Sequence, residues 1–121
     1  MVYTASSLSL AALELLANLK RRKAPDDLVA TPADIPLGVG ITEIEVSRLP
    51  ANWRDYPVPD VLRDLGARWA HELKTAVLAV PSVLIPGELN YLLNPWHPDF
   101  RKIRVGRPEP FSFDPRLWRR G

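Results

Sequence analysis

The placement of proline constrains this chain more than any other feature. Seven of its 13 prolines lie in the last third of the sequence, at positions 81, 86, 95, 98, 108, 110 and 115. Proline lacks the backbone N–H that helices require, and in sheets it is confined to edges, strand ends and bulges. The last third therefore predicts short strands joined by tight loops, such as residues 102–105 and 110–113, and excludes a long helix.

A first helix is predicted over residues 7–22. Thr4, Ser6 and Ser7 offer N-cap side chains, and basic residues at positions 20–23 suit the negative end of the helix dipole. Glu14 lies off an apolar stripe on a helix whose surface is otherwise mostly small or apolar, so we expect burial on two faces. The stripe is Leu8, Ala12, Leu15, Leu16 and Leu19.

A second helix is predicted over residues 60–73, after a turn-rich connection at 52–59. Asp60 is its candidate cap, and apolar residues recur every four positions through Trp69, which we therefore assign to the core. Residues 25–36 are predicted to form a loop, 39–46 an alternating strand and 75–80 a strand buried on both faces. These elements predict one α+β domain over residues 1–121, a single compact domain of short strands with two main helices.

Composition excludes several classes of function. Cysteine is absent and only His71 and His97 could offer imidazole, so we expect no disulfide and no metal site. No apolar run reaches the ~20 residues of a membrane span, and no secretory signal is recognisable, which favours a soluble cytoplasmic protein without membrane contact. The C-terminal end is basic, which suits a phosphate-bearing ligand, an acidic partner, nucleic acid or simply solvent; we do not expect direct nucleic-acid binding. Its cations are Arg101, Lys102, Arg104, Arg107, Arg116, Arg119 and Arg120.

A few polar residues stand out as candidates for chemistry. Glu14 is a carboxylate on a nearly apolar helix, and the pattern leaves open whether it serves a site or only reaches solvent. Ser82 follows a strand and could face a cleft or cap a turn. The run at residues 90–98 is rich in amides and aromatics; there Asn94 is a typical turn starter, and His97 lacks a recognisable nucleophile partner.

Four segments resemble the RES-domain family. They are VYTASSLSLAALELLANL at residues 2–19, LPANWRDYP at 49–57, VPSVLIPGELNYLLNPWHPDF at 80–100 and RVGRPEPFSFDPRLW at 104–118. The resemblance implies a bacterial toxin that degrades NAD, has a fold similar to ADP-ribosylating toxins, and is held inactive by an Xre-type helix-turn-helix antitoxin. By motif, it implies catalytic roles for Glu14 and Ser82, and NAD-binding roles for Tyr3 and Asn94.

The chain departs from the family pattern in one respect. The family's motif arginine belongs to a segment upstream of VYT and has no counterpart here, so the resemblance implies an N-terminally short RES domain. We therefore expect reduced activity that the upstream segment would restore, and self-association to cover the exposed packing surface. The alternative is a catalytically inactive module that binds only the antitoxin or itself. We also expect Glu14 and Ser82 to line one cleft, with Tyr3 and Asn94 near them.

Overall fold

The computed structural model describes residues 1–19 and 25–118. The predicted basic helix end at residues 20–23, and Arg119 and Arg120 of the basic terminus, lie outside the described residues. Over the described residues, two α-helices and eight short strands make an α+β domain, with short 3-10 helices at Val46–Arg48, Pro98–Lys102 and Pro115–Trp118. The elements are β1 (Val2–Ala5), α1 (Leu8–Asn18), β2 (Val29–Ala30), β3 (Ala33–Asp34), β4 (Ile41–Glu43), α2 (Asp60–Glu72), β5 (Val77–Pro81), β6 (Leu89–Leu93), β7 (Arg104–Val105) and β8 (Glu109–Pro110).

The main sheet is built around β5. Its four strands run in the order β1-β6-β5-β4, with β4 parallel to β5 and the other neighbours antiparallel. Ala76 and Val77 are completely buried, and Leu78 and Ala79 are at most 2% exposed. This confirms the prediction of a strand buried on both faces. The core packs against it, with Val39, Leu93 and Ile103 in contact with this strand's start.

The crossover from β4 to β5 passes through α2, and one hydroxyl group ties the three elements together. Thr75 Oγ1 donates to the backbone oxygen of Val77 at 2.9 Å and accepts from Trp69 Nε1 at 3.0 Å. Since its single proton is used, Thr42 Oγ1 on β4 is the donor in their 2.7 Å contact. Trp69 is 5% exposed, so its assignment to the core is confirmed.

The predicted start of α2 is correct, but its predicted cap is wrong. Pro59 occupies the N-cap position and makes no side-chain cap hydrogen bond. Asp60 instead forms an ion pair with Arg63 one turn along the helix. Asp60 therefore lies in the first turn, where its carboxylate interacts favourably with the positive end of the helix dipole but does not cap the helix.

The burial predicted for α1 is also wrong. Ser7 is the N-cap, accepting from Leu10 N at 3.1 Å, as one of the three predicted candidates. Within the helix only Leu10 is fully buried, whereas Leu8 of the predicted stripe is 56% exposed. Leu10 lies on the far side from that stripe, where Ala12, Leu15 and Leu16 are only half-buried. The fully buried position of the helix is therefore opposite to the one that its apolar periodicity indicated.

Two short ladders hold the segment from Leu28 to Ile35, which we call the strap, against the C-terminal part of the chain. Strand β2 pairs with β8 and β3 with β7, each over only two residues. Gly106 N also donates to Pro32 O at 2.8 Å, and a Cβ on Gly106 would lie 2.7 Å from the Pro32 ring. The loop predicted over residues 25–36 thus contains two strands that need distant partners. The strand predicted over 39–46 is shorter, spanning Ile41–Glu43. Of the two C-terminal strands, β7 falls within its predicted range, whereas β8 shares only Pro110 with the predicted range 110–113.

We expect Thr75→Val to lower the free energy of unfolding by about 1–3 kcal/mol, because it leaves the buried Trp69 N–H and the Val77 oxygen without their partner. Urea unfolding followed by tryptophan fluorescence measures this. The matched control is Thr42→Val, which removes one donor and leaves the Trp69 bond in place, and should cost less. Equal losses in the two variants would contradict the central role of the Thr75 hydroxyl.

Candidate functional site

The register of the main sheet puts several predicted site residues on one face. Tyr3 on β1 lies directly opposite Leu92 on β6, and side chains along a strand alternate between faces. Asn90 and Asn94 lie two residues to either side of Leu92, so they share its face. We call this side of the sheet the Tyr3 face.

Ser82 belongs to the same face. Val80 pairs with Asn90, and the ladder continues one step past the strand, where Ser82 N donates to Glu88 O at 2.8 Å. Two positions beyond Val80, Ser82 therefore falls on the Tyr3 face at the far end of the β5–β6 hairpin. Asn94 is at the other end, where its N–H donates to Ala76 O at 2.9 Å. At the usual rise per residue, Ser82 and Asn94 are about 20 Å apart along the strand.

Tyr3 and Glu14 are brought into contact. Helix α1 turns back along β1, and the Tyr3 hydroxyl donates to Glu14 Oε1 at 3.4 Å, a long and therefore weak hydrogen bond. Partial desolvation, together with the Glu14 charge and this hydrogen bond, raises the pKa of Tyr3 to about 12. Tyr3 is consequently a neutral donor at physiological pH, while its ring remains 57% exposed and open to stacking.

The Ser82 side chain is 1% exposed and acts as a turn cap. Its Oγ accepts hydrogen bonds from Leu84 N at 3.1 Å and from Ile85 N at 3.0 Å. This contact pattern agrees with the turn-capping interpretation of a serine after a strand. Since Oγ already accepts two hydrogen bonds, this side chain can form one more, as a donor through its hydroxyl proton.

Both polar atoms of the Asn94 side chain are used inside the fold. Nδ2 donates to Ala70 O of α2 at 3.0 Å, and Oδ1 accepts from Trp96 N at 3.1 Å. The residue is 1% exposed and starts the turn after β6, which agrees with its interpretation as a turn starter. His97 has a similar local contact, because its Nδ1 accepts from Asp99 N at 3.0 Å. Among the four predicted site residues, a direct contact is thus found between Tyr3 and Glu14, and their common cleft stays a prediction.

Two further polar residues of this region were not predicted from the sequence. Asn90 is completely buried on the Tyr3 face, and Glu88 Oε1 lies 3.4 Å from the Ser7 hydroxyl that caps α1. The amide-rich run at residues 90–98 contained the signal for Asn90. Because no strand was predicted there, the two-residue alternation that fixes its faces was missed.

A separate apolar cleft of about 810 Å³ opens on the opposite face of the sheet. Thr4, Tyr91 and Leu93, which alternate with the residues of the Tyr3 face, lie on its sheet side, and the strap closes it opposite α1. Its charged lining residues are Asp34 and Glu109, both acidic, so it is poorly suited to a phosphate group. Over residues 1–19 and 25–118, none of the four predicted site residues lines this cleft.

The described part of the chain has no group of three or more His, Asp or Glu side chains arranged to hold a metal ion. Within the same residues, neither helix is long and apolar enough to span a bilayer.

Comparison with known proteins gives a consistent match. The family model of the RES domain matches residues 1–114. The chain is 36% identical over 122 residues to the Prs ADP-ribosylating toxin of Sphingobium sp. (strain YBL2), a match that covers 98% of this chain and 75% of that protein. It is also 36% identical to Toxin Res of Yersinia enterocolitica, covering 96% of this chain and 76% of that protein. Toxin Res of Photorhabdus laumondii is 35% identical over 96% of this chain and 74% of its own length.

The Tyr3–Glu14 contact predicts a measurable titration. Tyr3 should ionise near pH 12, and Glu14→Gln should lower its pKa towards 10 without reaching it, since desolvation remains. The difference in tyrosinate absorbance between each protein and its Tyr3→Phe counterpart isolates this group. Because the folded-state pKa is raised, its contribution to stability is complete below pH 10 and is lost as the pH rises towards 12. An unchanged titration in Glu14→Gln would show that the two side chains do not interact.

Proposed function

The chain belongs to the RES domain family, and we propose that it is the toxin of a bacterial type II toxin-antitoxin system that degrades NAD by cleaving the nicotinamide–ribose bond. The names of its relatives, one an ADP-ribosylating toxin and two called Toxin Res, support this function. The observation in the structure that carries it is the Tyr3–Glu14 contact, on the sheet face that also presents Ser82. We further propose that the domain is related to the ADP-ribosyltransferase-like fold.

The proposed reaction gives Glu14 its role. When the bond from nicotinamide to ribose breaks, the electron pair leaves with nicotinamide and positive charge develops on the sugar, as in glycoside cleavage. A carboxylate placed beside the sugar stabilises that charge more than it stabilises the ground state, which is what accelerates the step. Water, phosphate or a protein side chain then takes the ADP-ribose.

Tyr3 has two proposed roles at this site. Its neutral hydroxyl donates to Glu14 and keeps the carboxylate from rotating freely, while its exposed ring offers a stacking surface to the nicotinamide or adenine ring.

The proposed setting is the bacterial cytoplasm, with an Xre-type antitoxin as the partner. Family resemblance supports both. A second copy of the chain is a further proposed partner, because β1 is an edge strand of the main sheet with one side of its backbone left unpaired by the other strands described. Self-association should appear in sedimentation velocity as a dimer whose fraction rises with protein concentration. A monomer across the whole accessible concentration range would contradict it.

A catalytically inactive binding module is the second candidate function. It is favoured by the contacts of Ser82 and Asn94, whose side chains serve a turn cap and a helix–turn tie within the fold. The two candidates differ in one measurement, the release of nicotinamide from NAD.

We expect the purified chain to release nicotinamide from NAD, and Glu14→Gln to slow this release about 100- to 1000-fold, the usual effect of removing one preorganised charge contact. Chromatography of the products separates free ADP-ribose, its phosphate adduct and labelled protein, and so identifies the acceptor.

The matched control is Glu45→Gln, which removes an acid from an exposed position of the chain. It should leave the rate unchanged. If Glu14→Gln and Glu45→Gln release nicotinamide at the same rate, the activity comes from a contaminating enzyme. If the wild-type chain releases none, the inactive binding module is favoured.

A further inference from the structure

Asn90 carries a buried acceptor that the fold does not use. Its Nδ2 donates to Thr4 O at 3.2 Å, which fixes the orientation of the amide, because a backbone oxygen can only accept. The remaining atom, Oδ1, is fully buried and has no hydrogen-bond partner among the described residues. Native proteins seldom leave such an atom unpaired, so Asn90 Oδ1 requires a hydrogen-bond donor from a water molecule or a ligand.

Ser82 carries the complementary unused capacity. Its Oγ accepts from two backbone N–H groups, and its own proton has no acceptor among residues 1–19 and 25–118 in the contacts found. A serine hydroxyl in this state can still donate one hydrogen bond. Ser82 thus has one unused hydrogen-bond donor, and Asn90 has one unused acceptor.

The sheet register brings the two side chains near each other. Val80 pairs with Asn90, and Ser82 lies two positions beyond Val80 on the same face, so Ser82 and Asn90 are diagonal neighbours across the hairpin. Diagonal neighbours have Cβ atoms about 7 Å apart, a separation that one intervening oxygen can bridge. Both residues are at most 1% exposed, so whatever lies between them is shielded from bulk solvent.

We propose that Ser82 and Asn90 together bind one hydroxyl group. The Ser82 hydroxyl donates to the oxygen of that group, and the proton of the group is donated to Asn90 Oδ1. A hydroxyl both accepts and donates, whereas an anion would offer Asn90 no proton and an ammonium group would offer Ser82 no acceptor. The group belongs either to a buried water molecule or to a ribose hydroxyl of NAD; the second source rests on the proposed function.

A crystal structure of the wild-type chain, free and with NAD, tests this directly and requires no variant to fold. Supporting results are a water oxygen within hydrogen-bond distance of both Ser82 Oγ and Asn90 Oδ1, or a ribose oxygen in that position in the complex. If NAD does not bind, the proposed function fails. The free structure then tests this proposal alone: a water between the two side chains supports it, and the lack of one contradicts it. An ordered structure with no oxygen between the two side chains overturns the proposal.

Binding in solution separates the two sources. With Glu14→Gln as the background to slow turnover, calorimetry compares NAD with analogues that lack one hydroxyl of the nicotinamide ribose. If the source is the ribose, Asn90→Leu weakens NAD binding about 5- to 30-fold and abolishes the preference of the protein for NAD over one analogue. If the source is water, the affinities for NAD and its analogues change in parallel, and the free structure shows the water.

Thr75→Val is the control for lost stability. The Thr75 hydroxyl is bonded to Trp69 and Val77 within the fold, and the family resemblance gives Thr75 no role in NAD binding. This variant should be less stable yet keep its preference between NAD and the analogues. Loss of that preference in Thr75→Val as well would show a general loosening of the site and would overturn a specific role for Asn90 in ribose recognition.

Discussion

The rest of the structure depends on the burial of one strand. Residues Ala76 to Ala79 have almost no contact with water, so each peptide group in this stretch must find its hydrogen bond within the protein. That requirement is met by a paired neighbour on each side, β4 and β6. A parallel neighbour needs a long connection, and α2 supplies it, whereas the antiparallel neighbour needs only a short turn. The Thr75 hydroxyl at the entrance of β5 joins the crossover helix and both parallel strands in one saturated set of contacts.

Alternation along the strands then divides the molecule into two sides with different chemistry. On β1, Tyr3 points to the side with Glu14, Ser82 and Asn90, and the next residue, Thr4, lines the apolar cleft. Helix α1 makes the same division, since Glu14 contacts Tyr3 while Leu8, Ala12 and Leu15 line the cleft. Strand β1 and helix α1 therefore each carry two kinds of surface. One side has polar side chains suited to a sugar, and the opposite side is apolar.

The fold could be predicted from the sequence where it depends on local or apolar interactions. The β-branched run predicted β5, and the four-residue repeat predicted α2 and the burial of Trp69, although Val61 and Leu73 of the same repeat are 44% and 43% exposed. It failed for α1, whose apolar stripe lines a cleft while a single leucine on the other side enters the core. It also missed β6, because buried asparagines are rare in central strands and their amides imitate a loop. Asp60 was misjudged as a cap because Pro59 takes the N-cap position, which leaves Asp60 inside the first turn of the helix. Family resemblance selected Tyr3, Glu14, Ser82 and Asn94, but the register needed to place Asn90 beside Ser82 arises only from strand pairing.

The strap has a consequence for how the domain opens. Its hydrogen bonds join residues about 70 to 80 positions apart in the chain, so a large loop must close to form them, as it must for the β1–β6 ladder. Each of the two strap ladders is only two residues long, whereas β1 and β6 pair over four residues, and the close approach at Gly106 and Pro32 tolerates no side chain. Few buried contacts and short ladders also characterise the regions that open locally while a core stays folded. The wall of the cleft on that side can therefore detach while β5 and its neighbours remain intact.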